Sequence, residues 1–469
     1  MLNVVGSIVK TAKFNAAAPA ILSVTGSISY AEVSQGIAVI SNYFADRRLP
    51  MAAKVILNIH NPDLRLMSTI AAMQYGLVPI VVPNTENFTQ PLDVDFVIGA
   101  PEPLNAKLTS DLVIDDSVLS GKLADKEPRV FKARADDDLL YIGTTTGTTG
   151  NRKLVAETYS RQVQRAADTD RYGSTERVMS TIGGASRYGL SNALRIFLAG
   201  ACLVRSYPDP LANLTMINVF GVDTLLTTPA TADLLMDYME AHSVQCPSIK
   251  HISLTGSLFP AKLIGRLERY FNAKIQIIYG TSETGGISRG FTSSETYVPG
   301  YVGEINPRIN LVFDSSRQQE PSELLVLNDN QHFSSYYVDG KIQSNTEPFF
   351  RLPDLGYVKD GKLFIVGRDD EVYNFSGNKI HYSQFESELR TNADVRDVGI
   401  AALSSEDDPF GLIIGVVTAM NLDPDDLRNN LCATLKINKA REHIRLVVID
   451  AIPRNEMGKI DRTALRKMI

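Results

Sequence analysis

Short apolar runs alternate with helical patterns along the first three quarters of the chain. The segment 54–60 (KVILNIH) predicts a buried strand, and the segment 63–76, which ends at a glycine, predicts the helix that follows it. Two further short strands are predicted at 78–83 and 95–100. This order of strand, helix and strand is typical of a doubly wound, largely parallel sheet with helices on its faces.

The same alternation continues towards the middle of the chain. Four more strand candidates lie at 201–206, 222–228, 249–256 and 273–280. Helices are predicted between them at 229–242 and 260–271. Each of these helices begins with a proline, which suits the first turn because an amide hydrogen is not needed there.

The pattern changes after about residue 300 to short strands and turns. Asp360-Gly361 separates two strand-like segments and is typical of a two-residue hairpin turn. Near the end, strands are predicted at 397–403, 412–420 and 444–450, with a helix at 424–435 that Asp423 caps. We therefore predict an α/β protein with a large multi-sheet N-terminal domain (residues 1–367) and a small α+β C-terminal domain (residues 368–469).

Composition narrows the function classes. The chain has 469 residues, of which 44% are hydrophobic and 21% charged, a composition too apolar for disorder. The net charge of −6 argues against a chain that coats nucleic acid. No apolar run approaches the roughly 18 residues of a membrane span. The three cysteines (Cys202, Cys246, Cys432) are too few for a disulfide framework. We expect a cytoplasmic protein with no nucleic-acid partner and no membrane span.

The strongest chemical signal is the segment 141–155, YIGTTTGTTGNRKLV. A strand leads into a loop rich in glycine and threonine, whose backbone amides and hydroxyls can donate to phosphate oxygens. Lys153 adds a positive charge. A P-loop is disfavoured because Arg152 and Leu154 flank this lysine, where a P-loop needs Gly and Ser or Thr. A polar turn without chemistry is the alternative.

This loop resembles the phosphate loop of adenylate-forming enzymes, which include acyl-CoA synthetases, peptide-synthetase adenylation domains and luciferases. The resemblance implies that the loop holds the β- and γ-phosphates of ATP, with Lys153 beside them. The loop residues are Thr145, which is also implied in catalysis, Thr146, Gly147, Thr148, Thr149 and Gly150.

A second block, YGTSE at 279–283, is similar to another motif of these enzymes. A tyrosine at a strand end offers adenine a flat surface, and the carboxylate of Glu283 suits Mg²⁺. The resemblance implies that Ser282 and Glu283 place the α-phosphate and the metal. The other implied nucleotide contacts are Tyr279, Gly280, Thr281 and the loop Gly256, Ser257 and Leu258. Alternatively, Tyr279 is only a strand-end aromatic and Glu283 a first-turn acid of a helix.

A third block contains Asp354, in FRLPDLG. It resembles the segment whose aspartate accepts from both ribose hydroxyls, and a carboxylate has the acceptor oxygens that a vicinal diol requires. Leu352 and Pro353 depart from the family pattern. Without the resemblance, this aspartate is only a turn residue.

A fourth block, residues 367–386, is similar to the hinge segment of the same enzymes. The resemblance implies that Arg368 contacts ribose, that a mobile C-terminal domain turns about a hinge at Asp370, and that Gly377 lies beside the tunnel of the thiol acceptor. Asn374 and Lys379 depart from the pattern, which weakens inference about the second half-reaction more than the first.

The fifth block, PRNEMGKIDR at 453–462, resembles the C-terminal motif of the family. It implies that Lys459 is the catalytic lysine. Attack of a carboxylate on the α-phosphate brings two anions together, so a cation is needed between them. Without the resemblance, a basic chain end is a solvated tail.

The acyl pocket is the part that the resemblance defines least. The implied lining residues are Ser186, Arg187, Tyr188, Thr228, Gly285 and Gly286. The stretch 183–191 contains no acid that could hold an ammonium group, so an α-amino acid is not the expected substrate. Arg187 could pair with an anionic or hydroxylated acyl group, or point to solvent.

The implied reaction joins a small carboxylic acid to ATP with Mg²⁺, giving acyl-AMP and pyrophosphate. CoA then accepts the acyl group as a thioester. A stand-alone adenylation enzyme that loads phosphopantetheine on an acyl or peptidyl carrier protein is an alternative. A non-catalytic nucleotide-binding homologue is a second alternative, motivated by Leu352, Pro353 and Asn374.

Overall fold

The protein is described here from a computed structural model. The described residues are 4–81, 94–103, 105–106, 108–115, 135, 137–144, 154–166, 172–184, 186–313, 321–327, 335–338, 341–343, 347–375, 378–403, 411–418, 422–455 and 459–468.

Helices cover the sheet faces and are named in chain order. The helices in the described residues are α1 (Val4–Phe14), α2 (Tyr30–Asp46), α3 (Pro62–Tyr75), α4 (Tyr159–Ala166), α5 (Arg187–Ala199), α6 (Pro210–Phe220), α7 (Pro229–His242), α8 (Ala261–Tyr270), α9 (Tyr382–Leu389), α10 (Pro424–Thr434) and α11 (Arg462–Arg466).

Strands are named in the same way. The strands up to residue 281 are β1 (Pro19–Ser23), β2 (Gly26–Ser29), β3 (Lys54–Asn58), β4 (Val78–Val81), β5 (Phe96–Gly99), β6 (Leu112–Val113), β7 (Leu139–Thr144), β8 (Leu154–Thr158), β9 (Arg177–Ser180), β10 (Cys202–Val204), β11 (Thr224–Thr227), β12 (His251–Leu254) and β13 (Lys274–Thr281). Those that follow are β14 (Gly285–Thr292), β15 (Tyr301–Ile305), β16 (Leu311–Val312), β17 (Ser322–Leu327), β18 (Ser335–Val338), β19 (Lys341–Gln343), β20 (Phe349–Lys359), β21 (Lys362–Arg368), β22 (Val372–Phe375), β23 (Asn378–His381), β24 (Val395–Ala402), β25 (Leu412–Thr418) and β26 (Ile444–Val448).

The largest sheet joins a parallel half to an antiparallel half. Its strand order is β16-β17-β20-β21-β15-β14-β13-β12-β11-β9-β10-β1-β2. The strands from β13 to β1 are parallel, whereas those from β16 to β13 are antiparallel. The predicted parallel sheet is therefore only part of a mixed one. Within the described residues, short turns join β13 to β14 and β20 to β21, which makes these neighbouring strands antiparallel.

A second sheet repeats this mixture. Its order is β19-β18-β8-β7-β4-β3-β5-β6. The strands from β7 to the edge strand β6 are parallel, and those from β19 to β7 are antiparallel. A hydrophobic cluster contributed by α2, α3, α5, β1 and β3 packs with both sheets, and its largest fully buried rings are Tyr30, Phe44, Tyr141 and Phe197. These observations confirm the predicted mixed α/β, multi-sheet fold class.

The C-terminal residues have sheets and a hydrophobic cluster of their own. β22 pairs with β23, and β24, β25 and β26 form a three-stranded sheet. A separate cluster that includes Phe385, Val398 and Ile414 lies between this sheet and α9 and α10. This smaller α+β region agrees with the predicted fold class, and the boundary between residues 367 and 368 stays a prediction.

Local signals explain where several elements begin and end. Asn61 caps α3, and the helix stops at Gly76, which adopts φ of 108°. Asp360 and Gly361 both have positive φ, as the hairpin turn between β20 and β21 requires. Pro229 begins α7 as predicted, but Pro260 is the N-cap of α8 and not its first residue.

Two further features of the described residues are the burial of the cysteines and the length of the helices. Cys202, Cys246 and Cys432 are buried free thiols. Among the described residues, a helix long and apolar enough to cross a membrane is not found.

Two helical glycines provide a test of packing. A Cβ at Gly189 in α5 would overlap the carbonyl oxygen of Gly183, whereas a Cβ at Gly265 in α8 would meet nothing within 4 Å. We expect Gly189→Ala to lower the free energy of unfolding by about 1–3 kcal/mol. Gly265→Ala should raise it by about 0.5–1 kcal/mol because alanine favours the helix. Urea unfolding of both variants measures this, and equal effects would contradict it.

Candidate active site

A cleft of about 1720 Å³ receives side chains from both the N-terminal sheets and the C-terminal region. The predicted site residues that line it are Arg187, Tyr188, Thr228, Gly256, Ser257, Leu258, Tyr279, Gly280, Thr281, Ser282, Glu283, Gly285, Gly286, Asp354, Arg368, Asp370 and Lys459. The fold therefore brings together residues that are up to 272 positions apart in the chain.

Parallel strands explain the convergence of the first motifs. β9, β11, β12 and β13 are neighbours, and their carboxyl ends meet at one edge of the sheet. Thr228 follows β11, Gly256 follows β12, and Tyr279 lies at the end of β13. Ligands commonly bind at this edge of α/β sheets. Gly256 adopts φ of +103°, a backbone conformation that other residues rarely adopt.

Tyr279 and Asp354 are directly connected. The Tyr279 hydroxyl donates to Asp354 Oδ2 over 2.6 Å. Burial raises the pKa of Asp354, although the Tyr279 hydrogen bond, Arg368 and Lys459 all oppose this shift. Burial and the neighbouring carboxylate raise the pKa of Tyr279, so the phenol keeps its proton and donates. The tyrosine thus holds the carboxylate in place in the cleft.

Arg368 lies opposite Asp354 on the neighbouring strand. The two residues are register partners in the antiparallel pair β20–β21. Arg368 Nε also donates to Asp370 Oδ1 over 2.7 Å. Burial disfavours the charged guanidinium, but Asp370 and Asp354 outweigh burial and raise the pKa of Arg368. Arg368 therefore stays positively charged beside the carboxylates of Asp354 and Asp370.

Glu283 has a partner that the sequence motifs did not reveal. The hydroxyl of Tyr336, on β18, donates to Glu283 Oε1 over 3.2 Å. Burial, followed by Glu283, raises the pKa of Tyr336. β18 belongs to the second sheet, so this contact joins the two large sheets at the cleft. Carboxylate oxygen is the donor type that Mg²⁺ prefers, so Glu283 fits a magnesium site.

Lys459 reaches the cleft from the end of the chain. It is half-buried, and burial lowers the pKa of its amine. Asp354, Glu371 and Glu283 act in the opposite direction, whereas Arg368 adds to the lowering. The amine therefore lies within the electrostatic influence of the motifs around Tyr279 and Asp354. It is not on a solvated tail.

Arg187 is buried and already has a counter-ion. Its guanidinium forms an ion pair with Glu157 of β8, and both side chains are at most 7% exposed. Burial disfavours the charge, but Glu157 outweighs it and raises the pKa of Arg187. The expectation that Arg187 could point to solvent is wrong. Since Glu157 neutralises it, the arginine also offers no uncompensated charge to an anionic acyl group.

Ser186 differs from the prediction that it lines the acyl pocket. Its hydroxyl donates to Gly183 O over 2.7 Å and accepts from the Gly189 amide over 3.0 Å. The serine is therefore the N-cap of α5, and it is not among the cleft-lining residues. Its role is to place the first turn of the helix that carries Arg187 and Tyr188.

Several predicted residues lie outside the described part of the chain. They are Thr145, Thr146, Gly147, Thr148, Thr149, Gly150, Lys153 and Gly377. The strands on either side of the first seven, β7 and β8, are antiparallel, with Thr144 opposite Leu154. At the end of β7, a Cβ on Gly143 would lie 2.8 Å from Arg187 Cβ, so this strand ends next to the cleft.

Comparison with protein families gives a match over most of the chain. The model of the AMP-binding enzyme family matches residues 9–337. Among curated proteins, pseudomonine synthase PmsE of Pseudomonas entomophila is 24% identical over 73% of this chain and 59% of its own length, so the chain covers less than two thirds of it. A 4-chlorobenzoate–CoA ligase of Arthrobacter sp. is 21% identical over 94% of this chain and 90% of its own.

A solved structure shows the same fold. ATP-bound MatB from Rhodopseudomonas palustris superposes with a TM-score of 0.81, covering 100% of this chain and 98% of that one at 18% identity. At this identity the likeness concerns the fold alone.

The buried Arg187–Glu157 ion pair should contribute to the free energy of unfolding. Glu157→Gln should lower the free energy of unfolding by about 3–5 kcal/mol, because it leaves a buried guanidinium without its counter-ion. Adding Arg187→Met should recover most of the loss. The control is Lys250→Met, which breaks an ion pair whose lysine is 70% exposed and should have far less effect. Urea unfolding is the measurement, and a double variant no more stable than Glu157→Gln would contradict the pairing.

Proposed function

Because this chain belongs to the family of AMP-binding enzymes, within the adenylate-forming superfamily, we propose that it joins a carboxylic acid to ATP. The products of this step are acyl-AMP and pyrophosphate. A thiol, that of CoA or of phosphopantetheine on a carrier protein, then accepts the acyl group.

The observation that carries this proposal is the position of Lys459. Its amine lies in the cleft with Asp354, Arg368 and Glu283, although more than 90 residues separate it from each of them. An acyl phosphate can form only if two anions approach each other, and a preorganised cation at that point lowers the barrier. The proposed role of Lys459 is to contact the substrate carboxylate and the α-phosphate together.

The nucleotide site follows from the neighbouring residues. Each oxygen of a carboxylate has two acceptor positions, so Asp354 can hold the Tyr279 hydroxyl and still accept from the ribose hydroxyls. The charge of Arg368 opposes the rise in the pKa of Asp354 that burial causes, and so favours the ionised carboxylate. Adenine would lie between Tyr279 and the loop at Gly256. The segment 145–153, which lies outside the described residues and follows β7 in the chain, is proposed to hold the outer phosphates.

Glu283 is the proposed ligand of Mg²⁺. When bound, the cation neutralises phosphate charge and orients the leaving pyrophosphate. The Tyr336 hydroxyl donates to one Glu283 oxygen and thereby orients the carboxylate.

The acyl pocket favours an acid with an apolar body and without an ammonium group. Ile182, Leu226 and Ile278 form a small buried cluster with Tyr188, and three of these four side chains line the cleft. Glu157, the carboxylate that contacts Arg187 beside this cluster, is already paired with that arginine. The 4-chlorobenzoate–CoA ligase named above is a relative whose acid has such a body.

The contacts of the segment 368–371 support a hinge at Asp370. The Asp369 amide donates to Pro353 O over 2.9 Å, so this residue is attached to the N-terminal strands. The Glu371 carbonyl, two residues later, accepts from the Tyr382 amide over 2.9 Å, on the C-terminal side. Rotation about Asp370 would remove Lys459 from the cleft and admit the thiol, a division of labour typical of mobile domains.

Pyrophosphate exchange tests the proposal. With an acid library, labelled pyrophosphate should enter ATP in the presence of at least one apolar carboxylic acid, and α-amino acids should be poor substrates. Lys459→Ala should lower the exchange rate by about 100-fold or more, because it removes transition-state charge stabilisation. Lys467→Ala, at an exposed lysine eight positions later, is the matched control.

A second experiment identifies the thiol that accepts the acyl group. CoA or a phosphopantetheinylated carrier protein is added to the acyl-AMP already formed, and thioester is measured. Exchange with none of the acids, despite ATP binding, would contradict the proposal and favour a non-catalytic homologue.

The depressed pKa of Lys459 predicts the pH dependence. An amine with a lowered pKa loses its proton at a lower pH than an ordinary lysine, and only the protonated amine stabilises the reaction. The value of kcat/KM for ATP should therefore fall as pH rises through a midpoint below that of an ordinary lysine, about 10.4. Lys459→Arg should lose this alkaline decline, since a guanidinium stays charged. An unchanged decline in Lys459→Arg would assign it to another group.

A further inference from the structure

Lys459 lies on the second strand of a short hairpin whose two strands are hydrogen-bonded to each other. The Asn455 amide donates to Lys459 O over 2.8 Å, and the Lys459 amide donates to Asn455 Oδ1 over 3.1 Å. The Asp461 amide donates to Pro453 O over 2.8 Å, and Arg454 and Ile460 form an antiparallel bridge. These bonds fix the hairpin internally, but they do not fix where it lies in the molecule.

The first attachment of this hairpin is Arg454. Its Nη2 donates to both oxygens of Asp397, over 2.9 and 2.7 Å. Asp397, on β24, also accepts from Arg390 over 2.9 Å. The incoming strand of the hairpin is therefore attached to the three-stranded C-terminal sheet.

The second attachment is Arg462, which follows Lys459 by three positions. Its Nε donates to Glu371 Oε1 over 3.1 Å, and its Nη2 lies 2.7 Å from Glu371 Oε2. This is the two-pronged geometry in which arginine binds carboxylate most strongly. The guanidinium also donates to Ile400 O and lies 5.1 Å over the ring of Tyr382. Both partners are largely buried, at 11% and 19% exposed.

Glu371 has a particular place in the chain. It directly follows Asp370, the proposed hinge, and its carbonyl accepts from the Tyr382 amide. Its side chain therefore links the first residue after the hinge to the last motif of the chain. The link is long in sequence, 91 residues, but short in space.

We propose that Glu371 and Arg462 are positioning residues for Lys459, coupling the orientation of the hinge to the placement of the catalytic amine. This inference rests on the proposed function. A lysine side chain has four rotatable bonds, so its amine reaches one place reproducibly only if its backbone is held from outside. With the pair intact, the hairpin and the segment after the hinge move as one unit. With the pair broken, the hairpin can change its position relative to the segment after the hinge, and the amine of Lys459 is no longer held in one place.

Two variants break the pair without changing the residues of the cleft that bind nucleotide. Glu371→Gln should lower kcat of acyl-AMP formation by about 10- to 100-fold, the range expected for a misplaced catalytic group. The KM values for ATP and acid should stay within about twofold, because Lys459 acts in the transition state. Arg462→Gln should behave alike, and Arg462→Lys should recover part of the rate. Transfer of the acyl group from supplied acyl-AMP, a step that does not use Lys459, should be unaffected.

Hydrogen exchange gives a readout that needs no substrate. In Glu371→Gln, the amides of Asn455, Lys459 and Asp461 should exchange at least about tenfold faster, because the hairpin opens locally. Amides of β25, in the adjacent sheet, should keep their protection. The matched control is Asp425→Asn, which removes another ion pair of the C-terminal region, at 2.8 Å from Arg428 on α10. It should change neither the hairpin amides nor kcat.

The outcomes separate the two proposals. Unchanged hairpin exchange in Glu371→Gln, or a rise in KM with kcat preserved, would overturn the positioning role. Equal loss of protection in β25 would show general destabilisation and would also overturn the positioning role. If Glu371→Gln does not fold, Arg462→Lys provides the same test with a variant that keeps the positive charge. Absence of acyl-AMP formation by the wild type with every acid would overturn the proposed function, whereas the exchange of the hairpin amides would still decide whether the pair holds the hairpin.

Discussion

The structure depends on holding one positive charge inside a cleft that favours its loss. Burial lowers the pKa of Lys459, and the carboxylates of Asp354, Glu371 and Glu283 oppose that shift. Those three acids come from three different strands or strand ends. A charge that is partly desolvated is tolerated where opposite charges are already fixed around it. The architecture of both regions serves to bring these groups to one place.

Sheet topology supplies most of that convergence. The parallel half of the large sheet aligns the ends of β9, β11, β12 and β13, and the antiparallel half brings Asp354 and Arg368 into register. The second sheet adds Tyr336, which contacts Glu283. Neither sheet alone contains all of these groups. The cleft therefore forms only where the two sheets and the C-terminal region meet.

Three ion pairs with largely buried side chains connect separate elements of this protein. Arg187 is paired with Glu157, Arg205 with Asp63, and Arg462 with Glu371. Because a lone buried charge is expensive, each such pair fixes the relative position of two elements. The Arg187 pair joins α5 to β8 beside the cleft, and the Arg462 pair joins α11 to the segment after the proposed hinge. The charge of Arg187 therefore has a structural role, which is consistent with the proposed preference for an acid with an apolar body.

The sequence by itself determined the features that depend on short-range signals. The bounds of α7, the glycine end of α3 and the Asp360-Gly361 hairpin were predicted because caps and turns act over a few residues. The alternation of strands and helices predicted the fold class, and the family resemblance predicted the motif residues. Only the tertiary structure decided which side chains meet: Tyr336 with Glu283 across 53 residues, and Glu371 with Arg462 across 91. Strand order creates such contacts, and no local pattern of polar and apolar residues encodes it.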